Sequence, residues 1–252
     1  MNAFLVGLQF LTRIRLVRQT VWTEEDFGRS VRYFPLVGLV LGIVYAVFVV
    51  LTVNVPDYIG LEVPVHVRSV CLAVLPFLMT GGLHCDGLMD TVDGIFSGRK
   101  REKMLEIMKD SRCGSFGAAA FGVLLLAQYA VILDMPSGLL LYAMLTMPII
   151  GRLMMVVAVS CFPYARAEGM GKAFSSYAGK KTCLLVSLCT AAFLAAAGWQ
   201  ALAAMAAALV FTCLLGRYVT RLLGGLTGDV YGAICILSEL LVLLVYLFTY
   251  SA

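Results

Sequence analysis

The sequence predicts an all-α, polytopic integral membrane protein, and three observations support this. The chain has 252 residues, of which 61% are hydrophobic and only 13% charged, whereas a soluble domain has roughly 45–50% apolar and 25% charged residues. The mean hydropathy is +0.94. The apolar runs are continuous rather than alternating, which favours a bundle of spanning helices over a β-barrel.

The apolar runs define the elements in order along one domain, residues 1–252, with no evident internal repeat. Residues 1–11 are apolar but too short to span a bilayer, so they predict an interfacial or re-entrant helix. They also lack the basic start and cleavage site of a signal peptide. About seven spans follow, at about residues 33–53, 68–83, 116–133, 139–161, 182–197, 201–215 and 232–250. Pro76 and the Gly81-Gly82 pair predict that the second span is kinked or broken, and residues 100–110 predict a short amphipathic helix.

The basic residues predict which loops share a membrane face. Lys and Arg number 5 in residues 13–32, 6 in 99–112, 4 in 166–181 and 2 in 217–221, which makes 17 of 19. The intervening loops, 54–67, 134–138 and 198–200, carry none. With seven alternating spans, all basic loops lie on one face, which the positive-inside rule makes cytoplasmic. We therefore expect the active-site loops 84–115, 162–181 and 216–231 on the cytoplasmic face.

One polar stretch, residues 80–94, carries three carboxylates at helical spacing. Asp86, Asp90 and Asp93 stand at i, i+4 and i+7, so on a helix they fall within roughly 60° of one another. Like charges on one helical face repel, and a divalent cation between them would offset the repulsion. Mg²⁺ binds carboxylate oxygens and shares its other positions with substrate phosphates. These three residues are therefore the predicted metal and catalytic site; a solvated acidic helix face is the alternative.

Two further residues of the same membrane face are candidates for the site. Asp229 stands in the glycine-rich stretch 224–232, at the mouth of the last span, where glycines permit tight turns and close approach. His84 precedes the aspartates and is a weaker candidate for the base that would deprotonate a hydroxyl. A helix would place it about 200° from Asp86.

The candidates for phosphate binding are arginines with one associated carboxylate. Arg112, with Asp110, opens the third span, and Arg166 belongs to the loop that also holds Lys172. Arg152 lies inside a span, where an arginine needs an anionic partner. That partner is either a substrate phosphate or Glu239 of the last span, and the sequence leaves both alternatives open. For the basic loops as a whole, the alternative is that they only fix topology or contact anionic lipid.

Two long motifs together resemble those of one family. Residues 81–94 read Gly-Gly-Leu-His-Cys-Asp-Gly-Leu-Met-Asp-Thr-Val-Asp-Gly, and residues 104–117 read Met-Leu-Glu-Ile-Met-Lys-Asp-Ser-Arg-Cys-Gly-Ser-Phe-Gly. With residues 10–15, 33–38, 164–171 and 224–229, they resemble the cobalamin synthases, also called adenosylcobinamide-GDP ribazoletransferases. Arg15 stands where that family usually has proline. The resemblance covers most of the chain.

The resemblance implies a reaction and a location. The cobinamide phosphate of adenosylcobinamide-GDP would pass to the ribose hydroxyl of α-ribazole or its 5′-phosphate, with release of GMP, in the last steps of cobalamin biosynthesis. It also implies Mg²⁺ as cofactor and a bacterial plasma membrane. Besides these substrates and membrane lipid, the candidate partners are other cobamide-assembly enzymes or a second copy of the chain; no nucleic acid is expected.

Other functions fit the residues less well. A CDP-alcohol phosphotransferase expects Asp-Gly-x-x-Ala-Arg, whereas Ile-Phe-Ser-Gly follows Asp93-Gly94, and a prenyltransferase expects a second acidic motif where only Asp229 stands. An ion-coupled transporter expects polar residues at the membrane midplane, whereas this acidic cluster lies at one mouth. The eight cysteines contain no C-x-x-C pair and predict small buried residues rather than a zinc site or a disulfide framework.

Overall fold

The fold is a bundle of α-helices. The computed structural model describes residues 2–18, 23–61, 63–167, 171, 174 and 179–250. Lys172, one of the basic residues of the second polar loop, lies outside them. We number the helices in chain order as α1 Ala3–Leu11, α2 Glu24–Ser30, α3 Phe34–Val49, α4 Val55–Ile59, α5 Val65–Thr80, α6 Leu83–Phe96, α7 Arg101–Ile107, α8 Ser115–Asp134, α9 Ser137–Cys161, α10 Lys180–Ala195, α11 Trp199–Leu223 and α12 Gly228–Phe248.

Within the residues that the structure describes, five helical segments are long and apolar enough to cross a membrane, so the protein is a multi-pass membrane protein. They are Glu24–Asn54, Ser115–Asp134, Ser137–Cys161, Trp199–Leu223 and Gly228–Phe248. The predicted number of seven is not confirmed. The pair α5 and α6 makes a sixth only if both count as one broken span. Helix α10 has 16 residues, about 24 Å of helix, which is shorter than a hydrocarbon core of about 30 Å.

Two predicted boundaries were wrong because polar or glycine residues continue a helix. The first span begins at Glu24 rather than near residue 33, since α2 and a 3-10 turn lead directly into α3. The predicted loop 216–231 shrinks to residues 224–227, because α11 continues to Leu223. Gly216 does not break α11; a Cβ there would lie 2.5 Å from the ring of Phe162, so the glycine admits that ring. Helix α11 ends instead at Gly224, whose φ of 76° is left-handed.

Helix α9 lies at the centre of the bundle. Its apolar window is 83% buried, against 28% for α8 and α11, and it packs against α3, α10, α11 and α12. Helix α3 approaches it most closely at Gly38 and Gly42, where a Cβ would collide with the backbone carbonyls of Pro148 and Leu145. Small residues four apart allow such close backbone contact between spanning helices. The pair α3 and α9 thus forms the closely packed centre of the bundle.

The acidic helix α6 turns away from α5 at two consecutive glycines. Gly81 and Gly82 have φ of 65° and 80°, and the two helices meet at 91°. The predicted break beside the acidic motif is therefore confirmed. Helix α6 then packs against α8 and α12. At its crossing with α12, a Cβ at Gly87 would lie 2.6 Å from the carbonyl oxygen of Asp229, so Gly87 brings the acidic helix against the start of α12.

Candidate active site

The three predicted aspartates lie on one helix, as their spacing indicates. All belong to α6; Asp86 is exposed, and Asp90 and Asp93 are partly buried. His84 is only 2% exposed and lies on the buried side of α6, in agreement with the rotation from Asp86 that the sequence predicts. The arrangement gives α6 one acidic face that solvent reaches and one face that packs.

Asp90 is the centre of the negative charge. Asp86, Asp93 and Asp229 all lie close enough to interact with it electrostatically, and the only compensating cation among the described neighbours is Arg166. Because Asp90 is partly withdrawn from water, these repulsions are screened less than they would be at the surface. The site therefore has an excess of negative charge that a bound cation would relieve.

Asp93 is bound to the start of the next long helix. Its Oδ2 accepts a hydrogen bond from the Gly114 amide at 2.7 Å, and its Oδ1 accepts one from the Gly117 amide at 2.9 Å. The carboxylate thus satisfies two of the free N–H groups at the start of α8 and lies at the positive end of the helix dipole. A Cβ at Gly117 would lie 2.8 Å from the Met89 carbonyl oxygen, so both glycines permit this close contact. The sequence did not predict this structural role.

Asp229 and Arg166 form an ion pair beside α6. Arg166 Nη2 donates to Asp229 Oδ2 at 2.9 Å, and both side chains are mostly buried. The hydroxyl of Thr227 also donates to Asp229 Oδ2, at 3.1 Å. The two loops are joined by a short parallel bridge at Tyr164 and Leu226. Two predicted site residues from loops about 60 residues apart therefore meet at the acidic face.

Arg101 holds this loop pair in place. Its Nε donates to the Leu223 carbonyl at 2.7 Å, and its Nη2 donates to the Ala165 carbonyl at 3.0 Å. These carbonyls belong to the end of α11 and to the segment that carries Arg166. Arg101 therefore braces the site from α7, a function that the basic run at residues 99–101 did not reveal.

Arg112 and Asp110 pair with each other at the surface. Arg112 Nη2 donates to Asp110 Oδ2 at 2.6 Å, and the Arg112 side chain is 87% exposed. Hydrogen bonds from Arg112 lower the pKa of the Asp110 carboxyl to about 2. The pair stands next to Gly114, which donates to Asp93, so it borders the site without contacting Asp90 in this structure. The predicted phosphate-binding role of Arg112 and Asp110 stays a prediction.

Arg152 lies away from the acidic face, in the core of the bundle. It is fully buried in α9, and its Nη1 donates to Glu239 Oε1 of α12. Gly151 admits the Glu239 side chain, since a Cβ there would lie 2.8 Å from Glu239 Cγ. Of the two alternatives that the sequence left open, the structure supports the ion pair across the bundle. The physical reason for this pairing is that a buried charge without a counter-charge is strongly destabilising.

The donor atoms of the acidic face suit a hard cation, although they do not yet enclose one. Within the described ranges, no group of three or more His, Cys, Asp or Glu side chains is arranged to hold a metal ion. Mg²⁺ needs only one or two carboxylates when substrate phosphates and water complete its coordination. Asp86 and Asp90 stand one turn apart and offer oxygen ligands only. They therefore suit a Mg²⁺ ion whose other ligands are substrate phosphates and water.

Arg13 was not among the predicted site residues, but it lies at the bend beside α6. Its backbone amide donates to the Met79 carbonyl at 2.8 Å, and a Cβ at Gly81 would lie 2.6 Å from its Nη2. With Arg15 and Asp86 it lines a cavity of about 440 Å³. The signal for these arginines was the run Phe10–Arg15, which had contributed to the family resemblance but not to the predicted site.

Comparison with known proteins identifies the family. A model of the cobalamin-5-phosphate synthase family matches residues 3–247. The chain is 42% identical over 250 residues to an adenosylcobinamide-GDP ribazoletransferase of Desulfitobacterium hafniense, covering 97% of this chain and 96% of that protein. Proteins of the same name are 35% identical in Clostridium acetobutylicum, over 92% and 90% of the two chains, and 40% identical in Roseiflexus, over 94% and 86%.

No solved structure shows a significant match to the chain. The family match and the relatives each extend over nearly all of its length. The chain therefore belongs to the cobalamin-5-phosphate synthase family.

Proposed function

We propose that this protein transfers the adenosylcobinamide-phosphate group of adenosylcobinamide-GDP to a ribose hydroxyl of α-ribazole or its 5′-phosphate. The hydroxyl oxygen forms a bond to the phosphorus that carries cobinamide. The bond from that phosphorus to the bridging oxygen of the diphosphate breaks, GMP leaves with the bonding electrons, and the hydroxyl proton passes to a base. The names of the relatives support the substrates.

The observation that carries the proposal is the meeting of the acidic face of α6 with the Arg166–Asp229 pair. A diphosphate must be held while its charge increases at the leaving oxygen, and preorganised charges are the strongest source of such stabilisation. The cobinamide and guanosine parts need no chemistry from the protein, only binding. Carboxylates at a partly exposed face, beside a mostly buried arginine, fit this requirement.

Asp86 and Asp90 would hold Mg²⁺ together with the diphosphate, and Asp93 would support them while it caps α8. The ion would neutralise the phosphate oxygens and stabilise the departing GMP. Asp90 lies among three other carboxylates that repel it. A Mg²⁺ ion bound to Asp90 would therefore offset more repulsion than one bound to any of its neighbours. Asp93 still has free lone pairs, because each of its oxygens accepts one amide hydrogen bond.

Arg166 would bind a phosphate oxygen of the donor, since it already lies at the acidic face and its exposed fraction permits contact. Arg112 could reach the same substrate by leaving Asp110, as its side chain is mostly in solvent. The base for the ribose hydroxyl is Asp86 or His84, because both line a second, smaller cavity next to the acidic face. Arg152 has no part in this proposal.

The proposed setting is a bacterial plasma membrane with the acidic face toward the cytoplasm, where nucleotide-activated substrates are available. The distribution of Lys and Arg among the loops supports this orientation. Cysteine labelling would check it: in intact cells, a single cysteine placed in the 134–138 turn should react with an impermeant reagent, and one placed near residue 99 should not.

Turnover by the purified protein tests the function. The full chain in liposomes would receive adenosylcobinamide-GDP, α-ribazole and Mg²⁺, with cobalamin and GMP separated by chromatography, beside a sample with chelator. We expect equal amounts of both products in the presence of metal and none with chelator. Folded protein that forms neither product would overturn the proposal, and product formed equally in chelator would overturn the role of Mg²⁺.

A further inference from the structure

Two cavities share the wall that contains Asp86. The larger has a volume of about 440 Å³ and lies along the bend between α5 and α6. The smaller has a volume of about 130 Å³ and lies between α6 and the start of α12. Phe10, Leu83 and Asp86 line both. The Asp86 carboxylate of the acidic face therefore borders both cavities.

The larger cavity is basic. Arg13 and Arg15 line it together with Gln9, Thr12 and the Gly81-Gly82 turn. Arg13 is fixed there, because its amide bonds to Met79 and its guanidinium lies over Gly81. Arginine binds the oxygens of phosphate groups in a planar, bidentate manner. Two arginines next to a carboxylate that can share a cation suit a diphosphate, which carries several negative oxygens.

The smaller cavity is lined mostly by apolar and aromatic groups. Phe10, Phe174 and Tyr231 contribute rings, and Leu11 and Met155 contribute aliphatic surface. Phe10 and Phe174 pack together with ring centroids 5.6 Å apart. A buried cavity of roughly 150 Å³ holds a benzene molecule. At about 130 Å³ this cavity is slightly smaller than that, so it admits the edge of a flat aromatic ring system and is too small for a whole nucleotide.

Two polar side chains of this cavity have unmet hydrogen-bonding capacity. In the part of the chain that the structure describes, Tyr231 Oη and both ring nitrogens of His84 are buried without a hydrogen-bond partner. Tyr231 is 1% exposed and His84 is 2% exposed. Buried polar groups are rarely left unpaired, because each such group costs free energy. A ligand with a ring nitrogen or a hydroxyl group would satisfy them.

From these features we infer that the two cavities divide the two substrates between them. The smaller cavity binds the edge of the aromatic base of the acceptor nucleoside, with Tyr231 and His84 as hydrogen-bond partners, so Asp86 is then the base for the ribose hydroxyl. The larger cavity binds the guanosine-side phosphate of the donor, with Arg13 and Arg15 as cations, and the cobinamide-bearing phosphate lies at the acidic face with Arg166, as in the proposed function. Because the family usually has proline at position 15, the contribution of Arg15 is particular to this chain. The acceptor ribose then lies at Asp86, where its hydroxyl meets the donor phosphorus. This assignment rests on the proposed function for the identity of the two ligands.

Equilibrium binding tests the assignment without turnover. Isothermal titration of the full chain in detergent would use α-ribazole as the acceptor probe and GDP with Mg²⁺ as the donor probe. Tyr231→Phe should weaken α-ribazole binding about 3- to 10-fold, as expected for one neutral hydrogen bond, and leave GDP binding within twofold. Arg15→Gln should weaken GDP binding about 10- to 100-fold and leave α-ribazole binding within twofold.

Tyr45→Phe is the matched control. Tyr45 is fully buried, and its hydroxyl also lacks a partner among the residues described, but it lines neither cavity. We expect both affinities to stay within twofold of the parent protein. Melting temperatures of all three variants within a few degrees of the parent would show that the changes act on binding and not on folding.

The outcomes separate this assignment from the proposed function. The assignment is overturned if Tyr231→Phe and Arg15→Gln weaken both probes equally, if neither variant weakens its probe, or if the parent protein does not bind α-ribazole. If the crossed pattern appears but the parent protein forms no cobalamin, the assignment stands and the proposed reaction falls. If cobalamin forms without the crossed pattern, the proposed reaction stands and the assignment falls.

Discussion

The two arginine–carboxylate pairs of this protein have opposite surroundings. Arg152 and Glu239 lie in the centre of the bundle, with side chains 0% and 2% exposed, while Arg166 and Asp229 are 15% and 22% exposed. The central pair joins α9 to α12, two of the most buried helices. The outer pair stands beside Asp90 and its acidic neighbours. The same two residue types thus pair in two different environments.

The difference shows how burial separates structural charges from candidate catalytic ones. In the core, each charge compensates only the other, and no substrate can replace either partner without opening the bundle. At the acidic face, Arg166 offsets one carboxylate among four, which leaves net negative charge for a cation and an arginine that a phosphate can contact. Residue type does not distinguish the two pairs. Their positions, within spans or in loops, and their access to solvent do.

Breaking the central pair should give the largest loss of stability. Arg152→Met leaves Glu239 buried without a counter-charge, and removal of one partner of a buried pair costs about 3–5 kcal/mol. Chemical unfolding in detergent would measure this. The double variant Arg152→Met with Glu239→Leu should recover most of the loss, because it removes both charges. A single variant as stable as the parent would contradict a structural role.

Breaking the outer pair should affect turnover more than stability. Arg166→Met removes a charged hydrogen bond of about 1.5–3 kcal/mol and the proposed phosphate contact, so kcat/KM should fall about 10- to 100-fold, with a change in melting temperature of a few degrees. Arg166→Lys should recover part of the rate. If Arg166→Met loses as much stability as Arg152→Met and its folded fraction turns over at the parent rate, the outer pair is structural and the proposed distinction between the two pairs is wrong.

Substitution of Asp93 should give an intermediate loss of stability, because Asp93 belongs to the acidic face and also caps α8. Asp93→Ala removes both amide contacts, and loss of a helix cap costs about 0.5–2 kcal/mol. Asp93→Asn should keep one contact through its carbonyl oxygen and lose less. Unfolding of both variants in detergent measures the difference. Equal stability of Asp93→Ala and the parent would show that the cap does not stabilise α8.

The exposed pair Asp110–Arg112 should give the smallest effect. Asp110→Asn should leave the melting temperature unchanged, because exposed ion pairs are screened by water and salt. The pKa of Asp110 is lowered to about 2, so whatever small effect its charge has on stability is complete above the unfolded pKa of about 3.9 and is lost as the pH falls from there through 2. Melting temperatures at pH 5 and pH 8 should therefore change equally in parent and variant.

Local sequence features predicted the elements of the fold well. The spacing of Asp86, Asp90 and Asp93 predicts one acidic helix face, and Gly81-Gly82 predicts the break before it. These features depend only on neighbouring residues. The bend of 91° does not follow from two glycines alone, because glycine permits many backbone angles. Gly216 led to a wrong loop boundary because a glycine can also lie inside a helix. Here the absence of a side chain makes room for the Phe162 ring.

Contacts between distant segments could not be predicted. Arg152 could have bound a phosphate or Glu239, and only the packing of α9 against α12 decides between them. The bonds from Gly114 and Gly117 to Asp93 join residues 21 and 24 positions apart, and no local pattern marks them. The meeting of Arg166 with Asp229 depends on the bridge between two loops, although the resemblance had already singled out both segments.

The turnover of Asp90→Asn tests the central claim most directly. This change keeps the size of the side chain and removes the charge at the centre of the acidic face. We predict that the folded variant in liposomes, at saturating Mg²⁺ and both substrates, loses about 10²- to 10³-fold in kcat, the size seen for removal of a key electrostatic group. Glu106→Gln, an exposed carboxylate of α7, should keep the parent rate. Parent-like cobalamin formation by Asp90→Asn would contradict the account.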